Sequence, residues 1–171
     1  MMRGLVIFSH GKESGPWGTK ITALASVARN HGFAVESIDY TGIADPEDRV
    51  SRLIERCGGE TELVLVGSSM GGYVASVASR SVNPAGLFLM APAVNLPGYA
   101  EPDPAPRAKK TFIVHGWNDE VIPTENVVRF ARRNRAQLFL VDGDHGLAAQ
   151  LPFIEELFSL FLESLSSYGQ E

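Results

Sequence analysis

The pentapeptide Gly67-Ser68-Ser69-Met70-Gly71 matches the pattern G-x-S-x-G, with Ser69 at its centre. It follows an apolar run, Leu63-Val64-Leu65-Val66, and precedes a stretch rich in small residues. That is the strand–turn–helix setting in which this pattern presents a nucleophile. Such a match arises by chance on the order of 0.1 times or less in a chain of this length. A nucleophile on so tight a turn occupies a costly backbone conformation that lifts its hydroxyl above the sheet. Gly67 and Gly71 remove the Cβ atoms that would collide where strand meets helix, and Gly72 extends the clearance. Amides at the start of the helix favour the negative charge that grows during attack on a carbonyl. Ser68 lacks the flanking glycine spacing and is read as structural. The chemistry implied is acyl transfer through Ser69.

A serine hydroxyl is a weak nucleophile at neutral pH, so Ser69 needs a base. The chain has four histidines. His31 precedes Gly32 at a helix end, where a cation suits the dipole. His10 and His115 each end a strand and precede glycine. His145 stands in the polar loop Asp142-Gly143-Asp144-His145-Gly146, between the last strand and the last helix, and is the expected base. The acid belongs on the loop after the preceding strand, His115-Gly116-Trp117-Asn118-Asp119, and Asp119 is the expected carboxylate. It would accept the second imidazole N–H and hold the tautomer. Glu120 and Asp144 are its rivals.

A tetrahedral intermediate also needs donors for its oxyanion. The backbone N–H of Met70 is one candidate, and that of Lys12, in the loop Ser9-His10-Gly11-Lys12, is the other. His10 then buttresses that loop. His10, Gly11, Trp17 and Trp117 are candidates for the substrate pocket, although an aromatic such as Trp17 serves packing as readily as binding.

These residues must be positioned by short apolar runs that alternate with helical periodicity, the pattern of a parallel sheet covered on both faces. The expected strands are Leu5–Ser9, Phe33–Asp39, Leu63–Gly67, Gly86–Met90, Phe112–His115 and Leu138–Val141. Phe33–Asp39 carries Glu36, Ser37 and Asp39 and belongs near an edge. Helical stripes are Ile21, Leu24, Ala25 and Ala28; Val50, Leu53, Ile54 and Cys57; Val127, Phe130 and Ala131; and Ile154 through Leu165. Asp45-Pro46 reads as a cap followed by proline at the first helical position. Residues 166–171 read as frayed. Between Met90 and Lys109 five prolines exclude a helix or central strand; the segment is a substrate-facing loop, a minimal lid or an ordinary surface connection. It is too short for a cap domain, so the pocket is expected to be shallow and open.

At 171 residues, 44% hydrophobic and 20% charged, the chain suits one domain spanning 1–171, with no internal repeat. A net charge of −5 offers no surplus for nucleic acid, and the cluster Arg129, Arg132, Arg133 and Arg135 sits at helical spacing as a solvated face. The single cysteine, Cys57, excludes an internal disulfide and a cysteine-based metal site, and it reads as a buried structural thiol. No apolar run approaches the length of a membrane span, and no secretory pattern precedes the strand at Leu5, so a cytoplasmic chain is expected. Neither a metal nor another cofactor is called for, and oligomeric state stays open.

Ser9-His10-Gly11, Gly67-Ser68-Ser69-Met70-Gly71-Gly72-Tyr73, Asp119 and Asp144-His145 together resemble the α/β-hydrolase superfamily, over essentially the whole chain. The small size and the G-S-S-M-G-G-Y turn look most like the compact bacterial YqiA-like esterases. That resemblance implies hydrolysis of short acyl esters by a triad corresponding to Ser69, Asp119 and His145. It also implies a minimal form of the fold, a three-layer α/β/α sandwich with no cap domain. The sheet would have six parallel strands in the order 2-1-3-4-5-6, with Phe33–Asp39 at one edge. Leu138–Val141 at the other edge is apolar, and the C-terminal helix is expected to cover it. Lys12 departs from the apolar or aromatic residue that often follows His-Gly. Thioester or peptide cleavage would use the same constellation, whereas dehalogenation would need a carboxylate in place of Ser69. A non-catalytic binding protein that keeps the fold is the reading from another class. A flavodoxin-like cofactor binder fits poorly, because Ser9 to Gly15 lacks the phosphate-loop order.

Overall fold

The computed structural model describes residues 2–59 and 62–166. Six strands, β1 (Gly4–Ser9), β2 (Phe33–Ile38), β3 (Leu63–Ser68), β4 (Gly86–Met90), β5 (Lys110–Gly116) and β6 (Gln137–Val141), form one sheet in the order β2-β1-β3-β4-β5-β6. All neighbours are parallel. Five helices connect and cover them: α1 (Thr19–Asn30), α2 (Pro46–Arg56), α3 (Met70–Val82), α4 (Thr124–Asn134) and α5 (Leu151–Ser166). No helix among the described residues is long and apolar enough to cross a membrane.

The period of two along each strand divides the core. Ile7, Leu65, Leu87, Leu89 and Ile113 point to the side carrying α2, α3 and α4, where they meet Leu53, Val74 and Phe130. Phe8, Val66, Phe88, Met90 and Val114 point to the side carrying α1 and α5, where they meet Leu24, Ile154 and Phe158. Burial on both faces explains why the central strands are nearly pure aliphatic and aromatic sequence. Asp45 caps α2 as expected, accepting the Glu47 N–H at 2.8 Å, with Pro46 next.

Three local expectations shift. At the β2 edge Glu36 pairs with Arg56 at the end of α2, and the strand stops at Ile38, so Asp39 lies beyond it. Cys57 is half-buried at the end of α2 rather than enclosed. The C-terminal helix lies against α1, β4 and β5, and Phe139 of β6 reaches it through Phe112, which touches both Phe139 and Phe161. β6 is half-buried along Leu138–Val141, with Leu138 facing the α4 side. Ser166 ends α5; residues 167–171, expected to fray, lie outside the described residues.

Candidate active site

The turn between β3 and α3 places Ser69 with φ 55° and ψ −120°, a region L-residues rarely occupy. Its backbone is held on several sides: the Ser69 N–H donates to the Met90 carbonyl at 3.0 Å, and its carbonyl accepts from Gly72 and Ala93. A Cβ on Gly67 would meet the Gly72 Cα at 2.6 Å, and one on Gly71 would strike the Ser9 carbonyl, so both glycines are required by close approach. Ser69→Gly is expected to be more stable than Ser69→Ala by about 1 kcal/mol, after allowing for the extra unfolded freedom of glycine. At this size that is a Tm difference of about 2–4 °C. Equal melting temperatures by calorimetry would show that the strain in the turn does not exceed the entropic penalty of glycine.

His145 Nε2 lies 3.0 Å from Ser69 Oγ, and its Nδ1 lies 2.8 Å from Asp119 Oδ2. Asp119 Oδ1 accepts the Val121 and Ile122 N–H groups at 2.8 and 2.7 Å, so both carboxylate oxygens are engaged. Glu120 is exposed, and Asp144 turns its Oδ1 to the Leu147 N–H at 3.1 Å. Asp119 is therefore the carboxylate set against the imidazole. The loops that carry acid and base are joined. Trp117 and Asn118 donate backbone N–H groups to the Val141 and Gly143 carbonyls, and a Cβ on Gly116 would strike the Gly143 carbonyl. His115, fully buried, donates Nε2–H to the Ile122 carbonyl at 3.0 Å and so steadies the turn after Asp119. Its burial holds its pKa below the ordinary imidazole range.

The loop after β1 approaches from the other side: the Cβ position of Gly11 is 3.5 Å from Ser69 Cβ. His10 is buried and buttresses this loop. It accepts the Tyr40 N–H at Nε2, at 3.0 Å, which leaves Nδ1–H to donate to the Gly11 carbonyl at 2.8 Å. Burial pushes the pKa of this imidazole below its ordinary value. Arg49 of α2, which is 4% exposed, donates to the same carbonyl at 3.2 Å and to that of Ile43 at 2.7 Å. The Gly11 carbonyl and the Lys12 N–H belong to one trans peptide and point opposite ways, so fixing the first aims the second. No described residue accepts from the Lys12 or Met70 N–H. Arg49 was missed by sequence reasoning. Its only local signal is a charged residue beside Val50 on an amphipathic helix, which reads as surface.

Ser69 and His145 open into a cleft of about 460 Å3. Ala93, Leu96 and Tyr99 from the proline-rich segment, with Val121 and Ile122, give it an apolar lining; Gly11, Lys12, Glu13, Ser14 and Lys20 also line it. The proline-rich segment thus faces the cleft, and it is braced. Tyr73 OH accepts the Glu101 N–H at 3.3 Å and donates to Glu47 at 2.6 Å, the Arg107 N–H donates to Ser79 Oγ at 2.9 Å, and Asn95 and Asn126 bond each other's backbone. Trp17 and Trp117 do not line this cleft. They are 49% and 59% exposed, because their loops turn the indoles outward. His10 borders only the smaller neighbouring cleft. The arginine cluster of α4 is exposed, as expected, with Arg133 paired to Asp103. Among the described residues, no group of three or more His, Cys, Asp or Glu side chains could hold a metal.

The sequence profile of the Alpha/beta hydrolase family matches residues 6–165. The chain belongs to that family. Its fold is the α/β-hydrolase fold without a cap. This α/β hydrolase is 38% identical to a member of the alpha/beta superfamily from Xanthomonas campestris pv. campestris, with a TM-score of 0.88 over 96% of this chain and 99% of the other. Est1E from Butyrivibrio proteoclasticus shares the fold at 18% identity, with a TM-score of 0.81 over 97% of this chain and 89% of Est1E. So does a serine hydrolase without lid from Xanthomonas campestris, at 19% identity and a TM-score of 0.70, over 94% and 81% of the two chains. Among proteins of curated function, none matches this hydrolase.

Proposed function

We propose that this α/β hydrolase is a serine esterase that cleaves small acyl esters through an acyl-enzyme. One observation carries the reading: an unbroken hydrogen-bonded line from Asp119 through His145 to Ser69 Oγ, at 2.8 and 3.0 Å, ending in an open cleft. With Asp119 accepting Nδ1–H, the lone pair of Nε2 faces the serine hydroxyl, the tautomer a base requires. Ser69 Oγ attacks the ester carbonyl while His145 takes its proton. The oxyanion is received by the Met70 and Lys12 N–H groups. The intermediate collapses, the C–O bond to the alcohol breaks, and His145 returns the proton to that alcohol. Water, deprotonated by the same imidazole, then adds to the acyl-enzyme and releases the acid and free Ser69.

The braced wall of Leu96 and Tyr99 bounds the cleft and supports short acyl groups. A fluorophosphonate probe is expected to label Ser69 alone, and p-nitrophenyl acetate to butyrate to be turned over faster than the palmitate ester. Failure of Ser69 to label at any pH from about 6 to 9 would overturn the reading. A preference for palmitate would overturn the restriction to short acyl groups.

Arg49 acts in this scheme by aiming a donor. Each oxyanion donor is worth on the order of 100-fold or more in kcat. Arg49→Met, which loosens one donor without deleting it, is expected to lower kcat about tenfold with KM little changed, and Arg49→Lys to recover part of the loss. Steady-state kinetics on an activated ester would decide; a rise in KM at constant kcat would assign Arg49 to substrate binding instead.

A further inference from the structure

Lys20, in the first turn of α1, is one of three charged side chains, with the exposed Lys12 and Glu13, that line the cleft and that the scheme above leaves unused. Its side chain lines the cleft that holds Ser69 and His145, and also an adjoining cleft of about 330 Å3 between the β1–α1 loop and residues 146–151. Among the described residues it is the one charged side chain common to both. No described group lies within hydrogen-bond or ion-pair distance of its ammonium. Asp144 and Asp119 act on it only from further away, and both carboxylates are occupied, Asp144 by the Leu147 N–H and Asp119 by His145 and two amides. Burial works against the charge of this ammonium.

A partly desolvated cation with three donors and no acceptor beside a nucleophile is unfavourable in the empty site. A ligand that brings an anion removes that penalty. In the same cleft, Leu96, Tyr99 and Val121 suit an apolar segment. The cleft therefore fits a molecule with an apolar stem and one negative end. Lys12 is exposed, so Lys20 is the more sheltered cation of the cleft; its single ammonium balances a single carboxylate, whereas a phosphate dianion would bring two charges to it.

We propose that the ester hydrolysed at Ser69 carries a second, ionised carboxylate, and that Lys20 binds this carboxylate while the scissile carbonyl sits between Ser69 and the Lys12 and Met70 amides. This deepens the esterase reading and rests on it. The carboxylate can belong to the acid half or to the alcohol half of the substrate, and two isosteric pairs separate these sources. Monoethyl glutarate against ethyl glutaramate tests the acid half. Para-acetoxybenzoate against para-acetoxybenzamide tests the alcohol half.

In at least one pair the carboxylate member is expected to have a kcat/KM about tenfold or more above its uncharged partner, as suits a charge-assisted contact. Lys20→Met is expected to bring that ratio to near one, and Lys20→Arg to restore it. Ratios near one in both pairs for the parent protein would overturn the inference while leaving the esterase intact. So would Lys20→Met rates that fall alike for both members of a pair, since that result marks Lys20 as a support for the His145 loop. If no ester in either pair is hydrolysed and Ser69 resists the fluorophosphonate probe, the esterase reading fails and this inference falls with it.

Discussion

Ser69→Ala is expected to lower kcat on an activated short ester by on the order of a millionfold, and His145→Ala by a similar factor. The double variant is expected to be hardly worse than either single one. The reason is that the two groups act as a unit: without the hydroxyl there is no proton for the imidazole to take, and without the imidazole the hydroxyl is barely nucleophilic at neutral pH. The 3.0 Å contact between Nε2 and Oγ is the geometric form of that coupling. Some acceleration over water survives through binding and the oxyanion donors. Rates for the three variants and the parent, measured on one substrate, form a closed cycle. Losses that multiply in the double variant would mean that Ser69 and His145 act independently, and the acyl-enzyme mechanism would fail.

Asp119→Asn carries the second large effect, a fall in kcat of about 10,000-fold. The asparagine keeps the shape of the side chain and an oxygen for the Val121 and Ile122 amides. What changes is the atom facing His145. An amide nitrogen donates where the carboxylate accepted, so Nδ1 loses its hydrogen, Nε2 gains one, and the lone pair that should meet the Ser69 proton is gone. The imidazolium formed during attack also loses its counter-charge. Glu120→Gln, one position away at an exposed side chain, is expected to keep the parent rate. Stopped assays on the two variants discriminate between them; a loss of less than about tenfold in Asp119→Asn would remove Asp119 from the acid role.

Much of this geometry was legible in the residues. The alternation of Leu87, Phe88, Leu89 and Met90 records a strand buried on both faces, and each residue joins the core its parity dictates. Gly67 and Gly71 announce a close approach that the backbone then makes. The order Ser69, Asp119, His145 placed three loops at one end of a parallel sheet before any distance was known. What stayed hidden depends on where long side chains travel. Arg49 reads as the polar face of α2, and nothing local shows that its guanidinium reaches the Gly11 carbonyl. Trp17 and Trp117 sit on the right loops, but a loop's sequence does not give the direction of an indole, and both face solvent away from the cleft. The path of α5 across β4 and β5 was equally opaque, because an amphipathic stripe says that a helix packs without saying on which strands.

The bracing of residues 91–109 against α3 and α4 has a consequence for adaptation. With Tyr73, Ser79 and Asn126 clamping that segment, admission of a molecule depends on static fit and not on gating. New preferences are then reached by exchanging single side chains such as Leu96 or Tyr99 on a rigid frame, while the reacting groups beneath keep their alignment.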